Sequence, residues 1–112
     1  MNRREQLGRL GKITDLLLEL RLADLETAAR ARQESLDHLS DLKVPQTSDL
    51  PLIAAAQANL LYQRWAEARR ADINLTLARQ TATWIEAQTS ARFAFGQAEA
   101  LRGLQKKNGY RR

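Results

Sequence analysis

The chain has no cysteine, and among its 112 residues only two are proline and five are glycine. Without thiols it can build neither a disulfide framework nor a thiolate metal site. Val appears once, at Val44, and Trp, Tyr and Phe twice each. Strands would ask for more β-branched and aromatic side chains than this. Long apolar runs are missing too, because charges interrupt each one before it reaches membrane-spanning length. The opening Met1-Asn2-Arg3-Arg4-Glu5 leads into Gln6, Gly8, Arg9 and Lys12 rather than the apolar stretch of a signal peptide. A reducing, cytoplasmic setting is the expectation.

What the chain does have is Ala, Leu, Arg, Gln and Glu, the better helix formers. The hydrophobic fraction is 44%, yet much of it is Ala, which buries little area. Long helices laid side by side use such a composition better than a thick core does. One break stands out, Lys43-Val44-Pro45-Gln46-Thr47-Ser48-Asp49-Leu50-Pro51. Two prolines with Thr, Ser and Asp between them stop one helix and start another. Ser48 or Asp49 can cap the second helix, and Pro51 suits its first turn. The fold class expected is all-α: a single two-helix antiparallel coiled-coil hairpin with a longer C-terminal helix. Its first helix covers about 5–43, its turn about 44–50 and its second helix about 51–107.

Before the break, Leu18, Leu22, Leu25, Ala29, Arg32, Leu36 and Leu39 alternate steps of four and three, the rhythm of a coiled-coil seam. Gly8 and Gly11 weaken the first turns, which places the stable part from near Ile13. After the break, Leu61, Arg64, Ala68, Ala71, Leu75, Ala78, Ala82, Ile85 and Thr89 keep the same rhythm. This small-residue stripe is the expected trough for the leucine ridge. Lys106-Lys107-Asn108-Gly109-Tyr110 reads as a helix end, with Gly109 in the left-handed cap position. Folding back at Pro45 sets Leu39 near Ala56 and Leu7 near Gln88, so that residues from about Arg92 onward project beyond their partner.

Two features are candidates for function. A second apolar stripe of Tyr62, Ala66, Ile73, Leu77, Trp84, Ala91 and Phe95 lies away from the expected seam. It reads as a docking face, since interfaces favour aromatic residues, or, on the bland reading, as surface that the first helix is wide enough to cover in part or that a homo-dimer hides. The second feature is charge. From Arg92 onward, Arg92, Arg102, Lys106, Lys107, Arg111 and Arg112 stand against Glu99 alone, a surplus equal to the net charge of +5. The candidate partner-binding residues are therefore Tyr62, Ile73, Leu77, Trp84, Phe95, Arg92, Arg102, Lys106 and Lys107. The bland alternative for the basic segment is a solvated, fraying tail; an acidic protein groove, an anionic membrane surface or nucleic acid are the functional ones. No recognition helix on a compact scaffold or stacking sheet is visible for nucleic acid.

The lone His38 has no second His or Cys to complete a metal site, and Glu34 four residues earlier makes it a surface contact. There is no Gly-rich phosphate loop and no His-assisted nucleophile, so the chain reads as a non-enzyme that needs no cofactor. Arg32 and Arg64 interrupt the two seams and can snorkel or fix register.

The stretch Leu16-Leu17-Leu18-Glu19-Leu20-Arg21-Leu22-Ala23, leading into Glu26-Thr27-Ala28-Ala29-Arg30-Ala31, resembles the FliJ/YscO family of flagellar and type III secretion export stalks. So does Phe95-Gly96-Gln97-Ala98-Glu99-Ala100-Leu101-Arg102-Gly103-Leu104, which is similar to the ending of such proteins except for Gln97 where Arg is usual. The resemblance implies a non-catalytic coiled coil that docks on the ring of an export ATPase and on the export gate, touching the membrane only through the gate. Its alternatives are a basic helical protein on nucleic acid or an anionic surface, and a helical scaffold subunit of a larger assembly.

Overall fold

Two helices make up almost all of the computed structural model, which describes residues 2–42 and 51–110. Helix α1 runs Arg3–Ser40 and helix α2 Leu52–Tyr110, with no strand among the described residues. The fold is all-α with the longer helix second. The turn expected at 44–50, its caps Ser48 or Asp49, and the terminal Arg111 and Arg112 lie outside the described residues.

Helix α1 starts ten residues before the expected stable part because it is capped. The Asn2 side-chain oxygen accepts from the Glu5 amide at 2.8 Å, and the Asn2 carbonyl accepts from Gln6 at 3.1 Å. That satisfies free first-turn donors, and Glu5 adds a favourable charge at the positive end of the helix. At the other end the Leu42 amide reaches the Leu39 carbonyl at 3.2 Å, the tighter i,i+3 turn common at helix ends. Helix α2 begins just after Pro51, whose carbonyl accepts from Ala55 at 2.8 Å. A proline there sacrifices no helical donor. The left-handed cap expected at Gly109 is not formed: no described glycine has a positive φ, and α2 continues to Tyr110.

The chain divides into two compact units, Met1–Ala29 with Ala82–Arg112, and Arg30–Thr81. In the first unit α1 and α2 run antiparallel. The Gln105 amide donates to the Leu7 carbonyl at 3.0 Å, and Arg102 meets Asp15 at 3.5 Å. Its buried side chains are almost all small: Ala28, Ala91, Ala94 and Ala98, with Leu101. Ala98 keeps only 1% of its surface. Gly11 belongs to this packing, since a Cβ there would come within 2.6 Å of Gln105 Nε2. Its bare backbone lets Gln105 reach across to the Leu7 carbonyl.

The second unit is also antiparallel but more polar along its contact. Buried Ser35 donates to Gln80 Oε1 at 2.5 Å, and Arg32 Nε donates to Thr81 Oγ1 at 3.2 Å. Ile73 and Ala66 are the buried apolar residues here. The exposed large apolar side chains of this unit lie on α2, at Leu52, Ile53, Leu60, Leu61, Trp65 and Leu75, most of them in the first half of its stretch here.

Three expectations change. On α1 the buried or half-buried positions are Leu7, Gly11, Thr14, Leu17, Leu18, Arg21, Leu25, Ala28 and Ala29 in the first unit, then Ala31, Arg32, Ser35, Leu36 and Leu39 in the second, with Leu42 just past the helix end. This set contains Leu18, Leu25, Ala29, Arg32, Leu36 and Leu39 of the expected seam and leaves only its Leu22 exposed, toward the flank. On α2 the two faces are exchanged. Leu61, Arg64, Ala68, Ala71, Leu75, Ala78, Ala82, Ile85 and Thr89 are all exposed, while Tyr62, Ala66, Ile73, Leu77, Trp84 and Ala91 are buried or half-buried.

The register moves as well. Gln105, not Gln88, meets Leu7, a displacement of roughly 26 Å at 1.5 Å per residue. That displacement decides the face. Continued past Thr89, the expected seam would run through Arg92, Gly96, Glu99, Gly103 and Lys106. The buried stripe runs instead through Ala91, Ala94, Ala98 and Leu101, the only one of the two that stays apolar that far. The C-terminal segment consequently has α1 beside it and is not an overhang.

Candidate interaction surface

Exchanging the faces redistributes the candidate partner-binding residues. Tyr62, Ile73, Leu77 and Trp84 share the buried stripe of α2, where their apolar surface is spent inside the protein. Tyr62 stacks obliquely on Trp65, with ring centroids 5.6 Å apart and planes at 45°. Arg102 is held by Glu99 of its own helix and by Asp15 of α1. These groups are about half exposed, so the network contributes little to stability. Phe95, Arg92, Lys106 and Lys107 are exposed. Phe95 is the one aromatic of the predicted docking stripe that stays outside.

Phe95 borders a groove in the first unit. Leu18, Leu22 and Leu25 of α1 line it on one side, and Gln88, Ala91, Arg92 and Phe95 of α2 on the other, around a volume of about 330 Å³. It is shallow and apolar, and Arg92 is its single charged lining residue. Leu22 is 49% exposed and Phe95 55%, so the outer wall of the groove is uncovered. Further apolar surface is open elsewhere on the same unit: Leu10, Ile13, Leu16 and Leu20 of α1 and Phe93 and Leu104 of α2 are all exposed.

The leucine run explains much of this exposure. Leu16, Leu17, Leu18, Leu20 and Leu22 fall within two helical turns, and at 100° per residue they cannot all face one partner helix. Leu17 and Leu18 are half-buried, whereas Leu16, Leu20 and Leu22 remain exposed. This excess of leucine was the readable signal for a surface on α1, and a reading that sought one seam per helix passes over it.

Charge gathers at the end of the first unit that holds the first turns of α1 and the last turns of α2. The register brings Arg3, Arg4, Arg9 and Lys12 of α1 beside Arg102, Lys106 and Lys107 of α2, against Glu5, Asp15 and Glu99. Lys12, Asp15 and Arg102 line a hollow of about 170 Å³ there. The basic character of the C-terminal segment is therefore shared with the beginning of the chain.

In the second unit, Ser35, His38, Arg69, Asp72, Ile73 and Thr76 line a hollow of about 120 Å³, too small for an ordinary ligand pocket. Among the described residues no three His, Cys, Asp or Glu side chains cluster so as to hold a metal ion. No described helix is long and apolar enough to cross a membrane. No protein-family model, curated protein or solved structure matches the chain.

Proposed function

We propose that the protein is a non-catalytic helical interaction factor that docks other proteins along its apolar flanks. Its sharpest form is a flagellar or type III secretion export stalk, or a chaperone-like component, acting on an export ATPase ring and an export gate. The observation that carries the docking reading is the apolar surface left over after the two helices have paired. Leu10, Ile13, Leu16, Leu20, Leu22, Phe93, Phe95 and Leu104 remain exposed in one unit. Soluble chains rarely leave apolar patches of this kind uncovered unless something binds them.

The stalk form draws support from the leucine-rich and Phe95–Leu104 stretches and from the basic end. A paired-helix tip carrying Arg3, Arg4, Arg9, Lys12, Lys106 and Lys107 suits an acidic ring lumen better than a single fraying helix would. The test is to purify the chain with its cognate export ATPase and measure hydrolysis at low salt. Stimulation is expected; neither binding nor stimulation would end the stalk form.

The same basic end motivates the second reading, attachment to nucleic acid or another anionic surface. Titration with duplex DNA across salt concentration separates the two. Phosphate binding weakens steeply as salt rises, whereas apolar docking persists.

A further inference from the structure

We infer that the groove of Leu18, Leu22, Leu25, Ala91, Arg92 and Phe95 is closed by the same groove of a second copy of this chain. The inference rests on reading the apolar flanks as docking surfaces and names the occupant of one of them. Its basis is that the groove is apolar along its floor and carries opposite charges on its two rims. On the α1 rim, Glu19 stands three residues before Leu22, and on the α2 rim Arg92 stands three residues before Phe95. Each pair shares a helix face at that spacing. Both charged side chains are exposed, and neither is in an ion pair among the described residues.

A two-fold axis parallel to the helices sets α1 of one copy against α2 of the other, as in a four-helix bundle. The contact is isologous, so every interaction occurs twice. The antiparallel register set by Gln105 on Leu7 and Arg102 near Asp15 places Glu19 and Arg92 at nearly the same height. Glu19 of one copy then faces Arg92 of the other, on both sides of the axis. A two-fold axis perpendicular to the helices would set α1 against α1 and bring like charges together, which opposes it. In the favoured arrangement Leu22 and Phe95 lose their exposed walls to the second copy. The basic ends fall on the same side of the bundle, where physiological salt screens exposed charges over about 8 Å.

The full chain is examined by sedimentation equilibrium from micromolar to submillimolar concentration, with far-UV circular dichroism on every variant. A reversible monomer–dimer equilibrium is expected. Glu19→Arg and Arg92→Glu should each weaken it roughly ten-fold, from two modest surface attractions turned into repulsions. The double variant Glu19→Arg/Arg92→Glu should restore it, which only a self-complementary contact can do. Phe95→Asp should abolish the dimer; should it also lose helicity, the exposed charge variants decide alone. A wild-type chain that stays monomeric throughout, or a dimer indifferent to both single reversals, overturns the inference. A monomeric result leaves the ATPase assay standing, and a silent ATPase assay leaves the dimer standing.

Discussion

The two units join the same two helices by different means. In the unit formed by residues 1–29 and 82–112, α2 offers Ala87, Ala91, Ala94 and Ala98 to α1, and the helices close on each other through small side chains. In the unit formed by residues 30–81, the contact carries Ser35 on Gln80 and Arg32 on Thr81. Alanine permits close approach but distinguishes poorly between neighbouring registers, because one alanine fits where another did. Buried hydrogen bonds do the opposite. They add little net stability when formed, yet a one-turn slip would leave Ser35 and Gln80 without partners, at a cost of about 1–3 kcal/mol for each stranded group. The alanine unit closes chiefly through small side chains, and the polar unit holds its own register through hydrogen bonds.

The largest effect should come from spoiling the alanine contact. Ala98→Arg drives a charge into a site with 1% exposure and should destabilise the protein by about 4 kcal/mol or more. Ala78→Arg, on the exposed stripe, should stay within about 0.5 kcal/mol. Thermal melts followed by circular dichroism compare the two; equal melting temperatures would mean that the faces have been assigned the wrong way round.

A smaller effect tests the polar unit. Ser35→Ala leaves Gln80 Oε1 without its donor and should cost about 1–2 kcal/mol. Gln80→Leu in the same background should recover part of that loss, as urea unfolding would show. Additive losses would mean that the two side chains do not work as a pair.

The smallest effect concerns the glycines. A Cβ at Gly8 meets nothing within 4 Å, so Gly8→Ala should gain about 1 kcal/mol of helix propensity. At Gly11 the same gain is offset by displacing Gln105 from the Leu7 carbonyl, for a net change near zero. A matching rise in melting temperature at both positions would show that the Gln105 contact contributes nothing.

Much of the fold is legible in the residues alone. The Pro45–Pro51 break and the Ala/Leu composition place two helices on either side of it. The cap at Asn2 was legible as well, from an Asn three residues before Glu5. Gly8 and Gly11 weaken the same turns by propensity, and the cap offsets them. The pairing face of α2 was harder, because two stripes share the same rhythm. Up to Thr89 they compete on nearly equal terms, and only the run Ala91, Ala94, Ala98 and Leu101 separates them. A tight turn at Pro45 would end the pairing near residue 88, short of those four residues, of which only Ala91 belongs to the second stripe as read from the sequence.

The candidate site divides in the same way. Phe95 and Arg92 were recognised by type and found at the groove, but Leu22, its other wall, was assigned to the seam. Tyr62, Ile73, Leu77 and Trp84 are legible as an apolar stripe that either a partner or the first helix could cover, and the pairing of α1 with α2 covers them wholly or in part. The basic segment was read from one terminus, and its neighbours Arg3, Arg4, Arg9 and Lys12 are remote in sequence.

Helix identity, the position of the break and the presence of more apolar surface than one seam can hold were determined by the sequence itself, because propensity and periodicity are local properties of a single chain segment. Which stripe is buried, which leucines remain outside and where the cations collect were decided by the tertiary pairing alone. These depend on the register between two helices, and register is a property of the pair: sliding one helix along the other changes every contact while leaving each sequence and each helix as it was.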